Sequence, residues 1–322
     1  MSEANVPQEA AMSAEGIVVG VDGSDPALCA LDWAAVEARR RGVPLNVVTC
    51  YTIPVFAASS MDAGYATLDD QVIRDGAQEV LDAARERIGE TEVDVRLRIE
   101  SGDPSGVLME LSEEADLIVV GTRGRGGFVG RLLGSVSSAL PAHSKCPTVV
   151  VPVCTAERSE ADPEIRDVVV VGIDGSDRAR RAVLVAAEQA MLRAVPLRVV
   201  CALPPVSGSL AWMPATVDQE ALTLDVRRQL KVGVRWLTSH FPELVIETEV
   251  IQGAPIEVLI EESSRAELLV TGSRGRGGFA GMLLGSTSQG VLHHSKGPVL
   301  VVPDSPDPRL EDRADFDTDD VD

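Results

Sequence analysis

Two stretches of this chain share a residue pattern suited to holding an anion. The first runs Gly121-Thr122-Arg123-Gly124-Arg125-Gly126-Gly127, and nine residues separate Gly124 from Gly134-Ser135-Val136. The second runs Gly272-Ser273-Arg274-Gly275-Arg276-Gly277-Gly278, with nine residues between Gly275 and Gly285-Ser286-Thr287. Glycines let the backbone take positive φ and approach a ligand closely, which leaves N–H groups free to donate to phosphate oxygens. Gly134-Ser135 and Gly285-Ser286 fall where helices are predicted to begin, and free N–H groups and the helix dipole favour an anion there. Ser135 adds a hydroxyl donor. The four arginines either assist phosphate binding or sit solvated on a loop. The block is no Walker A loop, since no Gly-Lys-Ser/Thr follows and no lysine lies in it.

A second constellation is Gly-x-Asp-Gly-Ser, found at Gly20–Ser24 and again at Gly172–Ser176. Its spacing is wrong for the dinucleotide fingerprint. Asp22 and Asp174 stand at the predicted end of a strand, where a carboxylate can accept hydrogen bonds from a ribose hydroxyl. The competing role is an N-cap for the next helix, which Ser24 or Asp25 would supply equally well. His143 and His294 occupy matching places before the last strand of each copy; no nucleophile or metal-ligand spacing surrounds them, and they read as dipole-facing residues at helix C-termini. Metal ligands and catalytic residues are therefore not expected.

These groups must be positioned by strands and helices that alternate. In the first copy, Gly16–Val21 is a short continuous apolar run suited to a strand buried on both faces. Pro26 and Gly42 bracket a helix over Ala27–Arg41. Leu45–Cys50 predicts a strand, Asp69–Ile88 a helix, Val93–Ile99 a strand exposed on one face, and Pro104–Glu114 a short helix. Asp116–Val120, Ser135–Ser144 and Thr148–Val151 complete the unit as strand, helix and strand. This order favours a doubly wound α/β domain: a five-stranded parallel sheet flanked by helices.

The same order recurs with an offset of 152 residues early in the unit and 151 later. A period this long is domain duplication. The predicted organisation is an N-terminal disordered tail (1–15), a first domain (16–153), a polar linker (154–166), a second domain (167–303) and an acidic disordered tail (304–322).

Composition narrows the partners. The formal charge is −21, with hydrophobic residues at 45% of the chain. A field of that sign repels nucleic acid and anionic lipid, and no long basic run overrides it. No apolar stretch approaches the roughly 18 residues that span a bilayer, and the N-terminus lacks the basic start and apolar stretch of a secretory signal. A cytoplasmic protein is expected. The five scattered cysteines form no C-x-x-C pair, which argues against a disulfide framework or a structural zinc.

Together, Val-Gly-Val-Asp-Gly-Ser ending the first strand and Gly-x-x-Gly-x9-Gly-Ser far downstream resemble the universal stress protein family, in its tandem ATP-binding branch. The resemblance covers about Gly16–Pro152 and Asp167–Pro303. It implies one adenine nucleotide per domain, with Mg²⁺ held through the phosphates. Gly20 and Asp22, with Gly172 and Asp174 as counterparts, would lie near ribose and phosphates. Gly121, Gly124, Gly134, Ser135 and Val136 would wrap the phosphates, as would Gly272, Gly275, Gly285, Ser286 and Thr287. The adenine contact would fall near Cys50 and Ala202, with Gly102 and Gly253 as pocket neighbours. The last strands, Thr148–Val151 and Val299–Val302, resemble the family's pairing edges, joining either the two domains or two chains as a homodimer. The resemblance thus implies an ATP-binding stress-response or regulatory protein with an unidentified protein partner and at most slow hydrolysis. The alternatives are an adenylating or phosphotransfer enzyme and a scaffold that binds no nucleotide. The adenine sides differ, Tyr51-Thr-Ile-Pro54 against Leu203-Pro-Pro205, as do Phe56–Leu68 and Val206–Thr216.

Overall fold

Apolar runs with both faces to bury can be satisfied only inside a sheet covered by helices on two sides, and this is what forms. The computed structural model describes residues 13–52, 70–124, 133–153, 167–204, 219–275 and 283–311. The first unit contains β1 (Ile17–Gly20), α1 (Asp25–Arg41), β2 (Leu45–Tyr51), α2 (Asp70–Ile88), β3 (Val95–Ser101), α3 (Pro104–Leu111), β4 (Leu117–Gly121), α4 (Ser135–His143) and β5 (Thr148–Val151). The second contains β6 (Val169–Ile173), α5 (Asp177–Arg193), β7 (Leu197–Leu203), α6 (Gln219–His240), β8 (Ile246–Gln252), α7 (Pro255–Arg265), β9 (Leu268–Gly272), α8 (Ser286–His294) and β10 (Val299–Val302).

The ten strands form one sheet in the order β3-β2-β1-β4-β5-β10-β9-β6-β7-β8. Each unit is parallel internally, and a single antiparallel junction, Val299 opposite Val150 and Val301 opposite Thr148, joins them. Of the two pairings open to the last strands, the structure has the intramolecular one, so these edges are not available to join two chains. The outer edges are β3 and β8. They carry Arg96, Arg98 and Glu100 on one side and Glu247 and Glu249 on the other, charges that discourage strand addition.

Strand alternation divides the core. Ile17, Val19, Leu117 and Val119 face one cluster, shared with α1 and α2; Val18, Ile118 and Val120 face the other, shared with α3 and α4. Both clusters continue through the second unit, so the halves share their cores across the junction. α3 is shorter than expected. It ends at Leu111, and the Ser112 hydroxyl that follows donates to the Met109 carbonyl at 2.6 Å. The helix caps also differ between copies. α1 ends on Gly42 at φ 65°, whereas α5 ends on Ala194 at φ 54°, a left-handed conformation for a residue with a Cβ.

Where α1 meets α5 across the junction, a charged group is buried. Arg193 Nη2 donates to Glu37 at 2.7 Å, and both side chains are at most 1% exposed. Glu37 also accepts from Arg41 Nε at 2.8 Å, while Glu267 pairs with Arg193 at 3.3 Å and with Arg40 at 2.7 Å. Burial lowers the Arg193 pKa, and Glu37 and Glu267 oppose that shift. By the repeat offset, Glu37 corresponds to Gln189 and Arg41 to Arg193, so the junction is symmetric in backbone and asymmetric in charge.

Contacts extend beyond the terminal strands at both ends of the described residues. Residues 13–15 are part of the fold: Ala14 is buried with its N–H on Glu114, and the Glu15 carbonyl accepts from Asn46. Residues 304–311 lie against α5 through Arg178, Arg181 and Glu188. Their aspartates find arginines to pair with, a pairing that overall charge does not reveal. Among the described residues no helix is long and apolar enough to cross a membrane.

Candidate functional site

The order 3-2-1-4-5 reverses between β1 and β4, and the crevice at such a switch point, outside the strand C-termini, is where doubly wound sheets place ligands. In the first unit a cleft of about 330 Å³ opens there. Its lining includes Gly20 and Asp22 after β1, Cys50 near the end of β2, Gly121, Arg123 and Gly124 after β4, and Gly134, Ser135 and Val136 at the start of α4. Residues distant in sequence thus meet at one place because parallel crossovers return every strand in the same direction.

Local packing explains why glycine stands at several of these positions. A Cβ on Gly121 would lie 2.5 Å from the Pro26 carbonyl, so only glycine lets β4 pass the N-terminus of α1. A Cβ on Gly124 would fall 2.2 Å from Asp22 Oδ2, so the absent side chain makes room for the carboxylate. Gly134 differs, because its nearest neighbours would be at 3.6 Å. Its N–H donates to the Thr122 carbonyl at 2.8 Å and to Ser137 Oγ at 3.0 Å, and Ser137 Oγ donates back to the Thr122 carbonyl at 2.7 Å. These bonds fix the first turn of α4 at the mouth of the cleft, where a helix leaves its initial N–H groups without intrahelical partners.

The geometry separates the two roles open to Asp22. Ser24 occupies the N-cap position of α1 with extended backbone, and Asp22 lies outside the helix. Its Oδ1 accepts from the Ser24 N–H at 3.0 Å and the Ser24 hydroxyl at 2.6 Å. Those contacts hold the carboxylate in the cleft rather than on the helix. In the second unit Asp174 Oδ1 accepts from the Ser176 N–H at 2.9 Å, and Ser176 itself caps α5 through the Ala179 N–H.

The second unit repeats the scaffold with differences. A Cβ on Gly275 would meet Asp174 Oδ2 at 2.3 Å, Gly285 N–H donates to the Ser273 carbonyl at 2.7 Å, and Ser288 Oγ donates to the Gly272 carbonyl at 2.7 Å. Ser286 and Thr287 open α8, and Ala202 sits near the end of β7. Around Gly272 the packing is looser, the nearest atom to a Cβ being Arg274 O at 3.3 Å. Gly172 is tighter than Gly20, with Leu259 at 2.6 Å against Leu108 at 2.9 Å.

Not every expected residue reaches the cleft. Thr122 offers its carbonyl to the α4 cap and is not among the lining residues, nor is Gly102, whose φ of 143° turns the chain from β3 into α3. Gly253 makes the same turn at φ 159°. Arg125, Gly126, Gly127, Arg276, Gly277 and Gly278 lie outside the described residues. Conversely, the apolar floor made by Val48, Leu108 and Val120, with Pro104 and Ser137, was not singled out. Pro104 stands two residues after Gly102 and opens α3, as Pro255 stands two after Gly253 and opens α7.

Cys50 is held as a thiol. Burial pushes its pKa up to about 12, and the charges of Glu100 and Asp103 add to that. It is therefore a polarisable wall of the cleft rather than a nucleophile. His143 and His294 each end a helix, as the last residues of α4 and α8.

The family model for the universal stress protein family matches residues 15–152 and again 166–303. This chain belongs to that family. A universal stress protein of Mycobacterium tuberculosis is 33% identical over 289 residues, covering 89% of this chain and 96% of that one. A second from the same species is 34% identical over 304 residues, covering 91% and 98%. The crystal structure of a universal stress protein from Archaeoglobus fulgidus superposes with a TM-score of 0.64 at 21% identity, over 91% of this chain and 97% of that one. The tandem universal stress protein fold thus extends over nearly the whole length.

Proposed function

We propose that this tandem universal stress protein binds ATP, one nucleotide per domain, and works as a stress-response or regulatory protein rather than a fast enzyme. The observation that carries the reading is the first cleft. Its volume of about 330 Å³ lies within the range of small-molecule sites, and its polar groups are complementary to a nucleotide. Asp22, held by Ser24, is an acceptor for ribose hydroxyls. The α4 N-terminus and Arg123 are donors for phosphate, and the apolar floor beside Cys50 suits a base. Mg²⁺ held through the phosphates would offset their charge. Differential affinity for two protein states then converts occupancy into a signal, read by a protein partner.

Calorimetry with ATP tests this. Gly134→Asp and Gly285→Asp are the informative variants, because both positions have room for a side chain and aspartate is a good N-cap. Each puts a negative charge where the phosphates would sit. Two sites in the parent chain and one in each variant, with unchanged circular dichroism, are the expected result. No heat from ATP and no competition by ADP or AMP refutes the reading.

A further inference from the structure

One difference between the two halves bears on the second candidate site. After β10 the chain continues along α5, and Asp304 bridges two arginines. Its Oδ2 lies 2.9 Å from Arg178 Nε and 3.4 Å from Arg274 Nη2. Arg178 belongs to the first turn of α5, and Arg274 is the counterpart of Arg123, which lines the first cleft. The carboxylate therefore sits on the cation that a phosphate in the second site would use.

The contact is built, not incidental. Arg178, Arg181 and Glu188 share one stripe of α5, spaced three and seven residues apart. Arg181 donates to the Pro303 carbonyl at 2.9 Å and to the Ser305 hydroxyl. Further on, Arg309 bonds both Glu188 and Asp307, and its hydrogen bond holds the Asp307 carboxyl below its usual range. A 3-10 turn over Pro308–Leu310 closes the segment. The clamps on either side of Asp304 hold its backbone against α5. Among the described residues, the matching places in the first half carry no such charges. By the repeat offset Pro26 stands for Arg178, Cys29 for Arg181, Val36 for Glu188 and Val153 for Asp304.

We propose that residues 303–310 form a carboxylate clasp that makes the two anion sites unequal, with Asp304 occupying Arg274 and weakening the second site for nucleotide phosphates. The inference rests on the nucleotide reading above. A phosphate must displace Asp304 or share Arg274 with it, and the standing negative charge opposes an incoming polyphosphate. At the first site Val153 stands in that place, and it carries no charge to oppose a phosphate. Detaching the clasp would then bring the second site into use at lower nucleotide concentration.

The test is ATP calorimetry on the full chain in a Gly134→Asp background, which leaves the second site alone. Asp304→Asn keeps the shape and removes the charge. With partly exposed ion pairs of this kind, the dissociation constant is expected to fall roughly fivefold. In a chain with the first site intact, that site's affinity stays unchanged. The gain disappears when Arg274→Ala is added. Equal affinity with and without Asp304→Asn overturns the clasp while leaving the nucleotide reading standing, and so does a gain that persists without Arg274. Absence of ATP binding in the parent chain and every variant overturns the nucleotide reading itself.

Discussion

Replacing Glu37 by glutamine gives the first domain the residue that the second already has at the matching position, Gln189. Glu37 accepts from Arg193 at 2.7 Å and from Arg41 at 2.8 Å, and its side chain is 1% exposed. Breaking a buried pair by removing one partner costs about 3–5 kcal/mol when the remaining charge is stranded. Arg193 is not fully stranded, because Glu267 lies 3.3 Å away and the Gln189 side chain accepts at 2.5 Å. The expected loss is therefore smaller, about 2 kcal/mol. It falls on the junction between halves, so the two domains should also unfold less together. Equilibrium urea denaturation followed by tryptophan fluorescence is the assay; the Trp33 ring lies 5.7 Å from the Arg193 guanidinium and reports on this spot. Arg193→Met in the Glu37→Gln chain completes the cycle, and the second change should cost less than it does alone. A single-variant loss below about 0.5 kcal/mol, the level of an exposed pair, or two losses that simply add, refutes the assignment of Glu37 and Arg193 as one buried unit.

Three further outcomes are expected. Ala194→Gly removes the Cβ from a left-handed cap and should stabilise the chain by about 0.5–1 kcal/mol after the greater entropy of unfolded glycine is counted; a lower urea midpoint contradicts it. Cys50 and Cys146 have folded pKa values of about 12 and about 11, raised mainly by burial from 9.0, so the unfolded chain ionises first. Their contribution is whole below pH 9 and is lost as pH rises towards 11 and 12, and Cys50→Ala with Cys146→Ala should flatten the alkaline limb of a stability–pH curve. Gly172→Ala drives a methyl into Leu259 at 2.6 Å and should cost about 1–3 kcal/mol; denaturation showing no loss would mean that Leu259 moves aside freely.

Much of the candidate site was legible because glycines and a serine at a strand-to-helix turn leave a local signature. Gly121, Gly124, Gly134 and Ser135 could be picked out by type and spacing, and the doubly wound order placed them near Gly20 and Asp22. The role of each glycine was not legible. Gly121 yields to the Pro26 backbone and Gly124 to the Asp22 carboxylate, while Gly134 has space to spare. These are contacts between segments distant in sequence. The floor of the cleft was also hidden, since Val48, Leu108 and Val120 look like any other core residues until the helices pack.

By itself, the sequence determined the two repeated units and their alternation of strand and helix, and it marked the glycine-rich strand ends as the candidate site. Those properties follow from short-range periodicity and from residue types that act within a few positions of each other. Only the tertiary structure decided that β5 pairs with β10 in one chain, that Glu37 and Arg193 meet in the dark of that junction, and that Asp304 lies on Arg274. Each depends on which surfaces come together when the halves dock, and a charge in sequence does not say which opposite charge it will face.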